Sequence, residues 1–118
     1  MPESAAASSG FTTEVKYFPE HVVVVLCHGR LVLGVTDVLS AAVRPLIPEN
    51  KRIVLDLADV QHTDSFGLGT LVRLYVAARS AGCNLELMHL SKQIRHLLGL
   101  TNLLDVFTVI GEHGVKLM

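Results

Sequence analysis

The chain has few aromatic residues, only two cysteines, almost no net charge and no long apolar run. Its 118 residues hold no tryptophan, two tyrosines and four phenylalanines, so its core must be aliphatic, built from Val, Leu, Ile and Ala. Cys27 and Cys83 are too few to suggest a disulfide framework and fit a cytoplasmic protein with reduced thiols. The formal charge of −1 comes with no basic run, which argues against nucleic-acid binding, where a stripe of Lys and Arg is the usual footprint. The longest apolar run, residues 22–27, has the length of a strand and falls far short of the roughly 20 residues that cross a bilayer. No membrane association is predicted. Residues 1–10 lack the basic-then-apolar layout of a secretory signal.

Half of the residues are hydrophobic, and a chain of this size buries most of the apolar surface its unfolded form exposes. One domain is predicted over residues 11–118, preceded by a flexible tail over residues 1–10, where Ala and Ser dominate without periodicity. Residues 12–18 alternate loosely, as an edge strand does, and Pro19-Glu20 turns the chain. The β-branched run Val22-Val23-Val24-Val25-Leu26 reads as a buried strand. A helix capped by Thr36 or Asp37 follows, with Val35, Val38, Leu39, Ala42, Val43 and Leu46 as its apolar stripe. Pro45 disturbs its last turn and Pro48 ends it.

A second strand–helix series fills the rest. Residues 53–57 form a nearly continuous apolar strand, and residues 66–81 a second helix stopped by Gly82. Residues 85–88 form a strand, Ser91 caps a third helix that buries Ile94, Leu97 and Leu98, and residues 106–110 form a last strand. This alternation implies parallel strands with helical crossovers. The expected fold is α/β: a central mixed β-sheet with helices packed mainly on one face.

The richest stretch is Asp64-Ser65-Phe66-Gly67-Leu68-Gly69, where a strand gives way to a helix. A serine there has its hydroxyl near solvent and near the unpaired N–H groups of the helix start, a place suited to a phosphate that is put on and taken off. On the residues alone, Asp64 and Ser65 read as simple helix caps, the commoner role of such residues. If Leu68, Leu71, Val72, Tyr75 and Val76 face the sheet, then Phe66, Thr70, Arg73 and Ala77 face away. Gly67 and Gly69 keep the turn thin enough for another backbone to approach. Phe66 reads either as core or as an exposed aromatic anchor, and Arg73 either as an ordinary surface charge or as an interface residue.

The order and spacing of several segments resemble the STAS domain family, more narrowly the stand-alone bacterial anti-sigma factor antagonists. The resemblance rests on residues 53–57 followed by Thr63-Asp64-Ser65-Phe66-Gly67-Leu68-Gly69-Thr70-Leu71, on Ala81-Gly82-Cys83-Asn84-Leu85-Glu86-Leu87, on the third-helix pattern, and on Gly29-Arg30-Leu31. It implies a protein that binds an anti-sigma factor, itself a serine kinase, and so releases a sigma factor for transcription. Phosphorylation at the Ser65 position ends binding, and a metal-dependent serine phosphatase restores it. Partner-binding positions carried over or read beside it are Asp64, Phe66, Gly67, Gly69, Thr70 and Arg73.

Catalysis is not expected. No His or Lys stands beside Ser65 at a spacing that makes it a base, and a kinase asks of its acceptor only a reachable hydroxyl. The six histidines show no ligand spacing, so neither a metal nor another cofactor is predicted. Gly67-Leu68-Gly69 lacks the spacing and the Lys of a phosphate-cradling loop. Two other readings stand beside the switch: a STAS scaffold or adaptor subunit of a larger signalling or transporter-associated complex, and a small enzyme using Ser65 or Asp64. The sequence leaves a homodimer open.

Overall fold

The computed structural model describes residues 10–110, the last three by their backbone alone. The elements in chain order are β1 (Phe11–Phe18), β2 (Val22–Gly29), α1 (Thr36–Val43), a 3-10 segment (Arg44–Glu49), β3 (Arg52–Asp59), α2 (Ser65–Ser80), β4 (Asn84–Met88), α3 (Lys92–Leu100) and β5 (Thr108–Ile110). The expected tail, Gly10 apart, lies outside the described residues.

The five strands form one sheet in chain order, β1-β2-β3-β4-β5. β1 runs antiparallel to β2, and the remaining pairs are parallel. Three parallel crossovers therefore step the same way across the sheet, each carrying a helix. Crossovers of this kind are right-handed, so steps in one direction put every helix on the same face. This is the mixed sheet with a one-sided helix layer that the strand–helix alternation predicts.

The strands record that asymmetry in their side chains. Val23, Val25, Ile53, Leu55, Leu85 and Leu87 are sealed beneath the helices, where they meet Leu39, Val43, Leu71 and Leu74 in one aliphatic core. The alternate residues Val22, Val24 and Leu26 are half-buried on the opposite face. On that face Arg52, at the start of β3, pairs with Glu86 at 2.7 Å. Two of the few aromatics, Phe11 and Phe107, also enter the core, and Tyr75 of α2 meets Phe107 edge-on with ring centres 5.2 Å apart.

Three local expectations need correction. Neither Thr36 nor Asp37 caps α1: the N-cap position is Val35, with no side-chain bond. The helix winds instead out of a turn in which Val35 N–H meets the Val32 carbonyl and Val38 N–H the Val35 carbonyl. The helix stops at Val43 and the chain continues as a 3-10 segment, because Pro45 and Pro48 withhold two N–H donors. The last strand starts at Thr108, after a bend that leaves Val106 exposed.

Candidate functional site

Beyond β3 the chain runs through residues 60–64 before α2 begins, and this turn is held on both sides. On one side Leu31, after β2, forms a parallel bridge with Thr63. Leu31 N–H donates to the His62 carbonyl at 3.1 Å, and Thr63 Oγ1 donates to the Leu31 carbonyl at 2.7 Å. On the other side stands the start of α3. Gln93 Oε1 accepts from Thr63 N–H at 3.1 Å while its Nε2 donates to the Thr63 carbonyl at 3.1 Å. The side-chain amide thus takes the place of a neighbouring strand. Ser91 Oγ adds a bond to the Gln61 carbonyl at 3.1 Å. Every polar group of Thr63 is satisfied, as its burial requires.

Asp64 then caps α2 from extended backbone. One carboxylate oxygen accepts Gly67 N–H at 2.9 Å, the usual capping bond three residues on. The other accepts Leu33 N–H at 2.9 Å, from the loop before α1. The Leu33 N–H holds the carboxyl below the ordinary aspartate range; partial burial opposes this and the Gly67 N–H reinforces it. With the capping done by Asp64, the first helical residue has no structural task. Ser65 is exposed, and its hydroxyl makes no hydrogen bond among the described residues.

Phe66 beside it is 54% exposed, and Leu33, across the Asp64 bridge, is 64% exposed. Two apolar side chains therefore stand out around a free hydroxyl. Arg73 is exposed about two helical turns beyond Phe66, its Nη2 donating to Thr70 Oγ1 at 3.0 Å.

Two other predicted site residues lie elsewhere. Thr70 is fully buried, with its hydroxyl donating to the Phe66 carbonyl at 3.0 Å. Gly67 is also buried, and a Cβ on it would strike the Leu31 carbonyl and the Thr63 hydroxyl. The backbone that this glycine admits belongs to its own chain, not to a partner. Gly69 is half-buried, with the Arg73 guanidinium lying over it.

The close approach at Gly67 also sets the rotation of α2. The innermost line runs through Gly67, Leu71, Leu74 and Ala78, whereas Val76, expected to face the sheet, is 55% exposed. Sequence reasoning missed Leu33 and Gln93. Leu33 carries a faint signal, an apolar residue beside Gly34 in a short loop; Gln93 carries none, because its contact spans 30 residues.

No other described chemistry competes with this turn. Burial, reinforced by the nearby Asp56 carboxylate, pushes the Cys27 thiol up to about 12. Burial and then Glu86 raise Cys83 as well, so neither thiol is a nucleophile at neutral pH. Two histidines brace the strand ends: His28 Nδ1 lies 2.8 Å from Asp59 Oδ2, and His89 Nδ1 lies 2.9 Å from Asp56 Oδ1. Among the described residues no side chain hydrogen-bonds the Ser65 hydroxyl, so none is seen in place to activate it. The arrangement can offer that hydroxyl to an external enzyme and present the result on a stiff, partly apolar surface.

Comparison with known proteins gives this geometry a context. The family model described as STAS domain matches residues 15–114. An anti-sigma-B factor antagonist of Bacillus subtilis is 32% identical over 92 residues, covering 72% of this chain and 84% of its own. Among solved structures, an anti-sigma factor antagonist from Mycobacterium paratuberculosis superposes with a TM-score of 0.77 at 22% identity, covering 89% of each chain. The anti-sigma factor antagonist SpoIIAA in its unphosphorylated form superposes at 0.71 with 16% identity, covering 86% of this chain and 90% of its own. The Bacillus cell fate determinant SpoIIAA in its phosphorylated form does so at 0.67 with 16% identity, covering 86% and 93%.

Proposed function

This chain belongs to the STAS domain family, and from that premise we propose that it is an anti-sigma factor antagonist whose binding is switched off by phosphorylation of Ser65. The observation that carries the reading is the division of labour at the start of α2. Asp64 does the capping, which leaves the exposed Ser65 hydroxyl without a partner among the described residues. Support also comes from the relatives: one is an anti-sigma-B factor antagonist, and another has been solved in a phosphorylated form. The protein acts by binding rather than by catalysis. Its partner is an anti-sigma factor that doubles as a serine kinase, and a metal-dependent serine phosphatase reverses the mark.

The energetics of the switch follow from the turn. A phosphate on Ser65 adds about −1.5 to −2 charges at neutral pH. The helix N-terminus favours it by about 0.3–1 kcal/mol. Asp64 opposes it and cannot swing aside, because both of its oxygens hold backbone N–H groups. A docked partner would have to desolvate the pair of negative charges next to Phe66 and Leu33. An uncompensated interfacial charge costs several kcal/mol, and each 1.4 kcal/mol or so is tenfold in affinity. Binding is lost while the fold remains.

The test is a calorimetric titration against an anti-sigma factor kinase, coupled to mass mapping after incubation with Mg-ATP. Ser65→Ala keeps the affinity, and Ser65→Asp lowers it by about tenfold or more. Phosphate found on another residue, or equal affinities for the two variants, would count against the assignment.

A further inference from the structure

The two edges of the sheet are built differently. β5 has three residues, and so short an edge discourages the addition of another strand. β1 has eight, pairs with β2 at every position without a bulge, and contains no proline. Among the described residues no other strand pairs with the outer side of residues 12–18. The strand ends in Tyr17 and Phe18, which are 69% and 51% exposed.

We propose that β1 is a homodimer edge. A second copy of this chain adds its own β1 in antiparallel fashion, with Val15 facing Val15 on the two-fold axis. Charge selects both the occupant and the register. In this register Glu14 faces the partner subunit's Lys16, and Lys16 faces the partner subunit's Glu14. All four side chains lie on the same face of the joined sheet, because facing residues share a face. A shift to either adjacent register would oppose Glu14 to Glu14 or Lys16 to Lys16. Among the described residues, Glu14 and Lys16 have no ion-pair partner within their own subunit. The same register sets Thr13 against Tyr17 and Thr12 against Phe18, which covers part of each exposed ring.

The two-fold axis stands perpendicular to the sheet. Both helix layers therefore lie on the same side of one continuous sheet, and the two Ser65 turns point to opposite ends. β1 is two strands away from β3, so the dimer leaves the Ser65 surface free. The inference is independent of the function proposed above.

Sedimentation velocity over the micromolar range tests it on the full chain. The native protein sediments as a dimer in concentration-dependent exchange with monomer. Glu14→Lys and Lys16→Glu, each alone, weaken self-association by about tenfold or more. An equimolar mixture of these two variants restores the dimer, because every facing pair is again of opposite sign. Oxidation of Val15→Cys yields a disulfide-linked dimer: directly facing Cα atoms lie about 4.5–5.5 Å apart, within disulfide reach. The buried Cys27 and Cys83 do not compete. Circular dichroism of each variant confirms that it is folded. A native protein that stays monomeric throughout, a dimer indifferent to both charge changes, or a mixture no stronger than its components would overturn the proposal.

Discussion

The two turns that lead from strand to helix at β3–α2 and β4–α3 begin alike and end in different employment. Each opens on a residue in extended backbone whose side chain accepts the N–H three residues on: Asp64 from Gly67 at 2.9 Å, Ser91 from Ile94 at 3.2 Å. After that they diverge. The second turn spends its polar side chains inward, Ser91 on Gln61 and Gln93 on Thr63. The first receives that support and leaves Ser65 with nothing to hold. A capped helix start is thus an ordinary structural device. What sets one apart is a polar side chain released from structural duty because its neighbours have taken it over.

The sharpest way to break the comparison is through the glycines of the two helices. Gly67→Ala should destabilise the fold by about 3 kcal/mol, the upper part of the usual overpacking range, because the new methyl meets the Leu31 backbone. Gly99→Ala in α3 meets nothing within 4 Å and should stabilise by about 0.5–1 kcal/mol. Urea denaturation midpoints of the two variants, moving in opposite directions, report this directly.

Removing the support that one turn gives the other comes next. Gln93→Ala leaves the N–H and carbonyl of Thr63 without their partners and should cost about 2 kcal/mol. Amide exchange at Thr63 should rise more than exchange within the strands. Equal protection of Thr63 in both proteins would show that Gln93 does not stiffen the turn.

The smallest effect separates the caps by charge. The carboxyl of Asp64 titrates below its ordinary range in the folded protein, chiefly because of the Leu33 N–H. Its contribution is therefore present above the unfolded aspartate value and fades as pH falls through the folded one. The difference in melting temperature between native protein and Asp64→Asn should shrink on acidification to pH below the aspartate range. Ser91→Ala, costing about 1 kcal/mol, should show a deficit that stays level over the same span, since its hydroxyl does not titrate there.

Much of this architecture is legible in the chain, for reasons that are local. The β-branched run of residues 22–26 and the apolar run of residues 53–57 read as strands with a buried face, and their alternation with helices points to parallel pairing. The Asp-Ser pair after a strand marks the turn itself. The facing of α2 is less legible, because a periodic stripe fixes a helix's rotation only to within about one residue's turn. Leu74 and Ala78 displaced Tyr75 and Val76 from the innermost line once Gly67 touched Leu31. Thr70 misled because a hydroxyl that bonds its own helix at the Phe66 carbonyl can be buried without cost to the backbone. The contacts of Leu33 with Asp64 and of Gln93 with Thr63 join residues 31 and 30 positions apart, and nothing in either segment announces the other.

The double bracing of Thr63 has one more consequence. The residue after the cap is fixed in helical backbone geometry, so any enzyme that acted on Ser65 would meet a folded epitope rather than a pliable strand laid along a cleft. Such an enzyme would have to judge its substrate by contour, and a short linear peptide copied from this stretch would lack that contour.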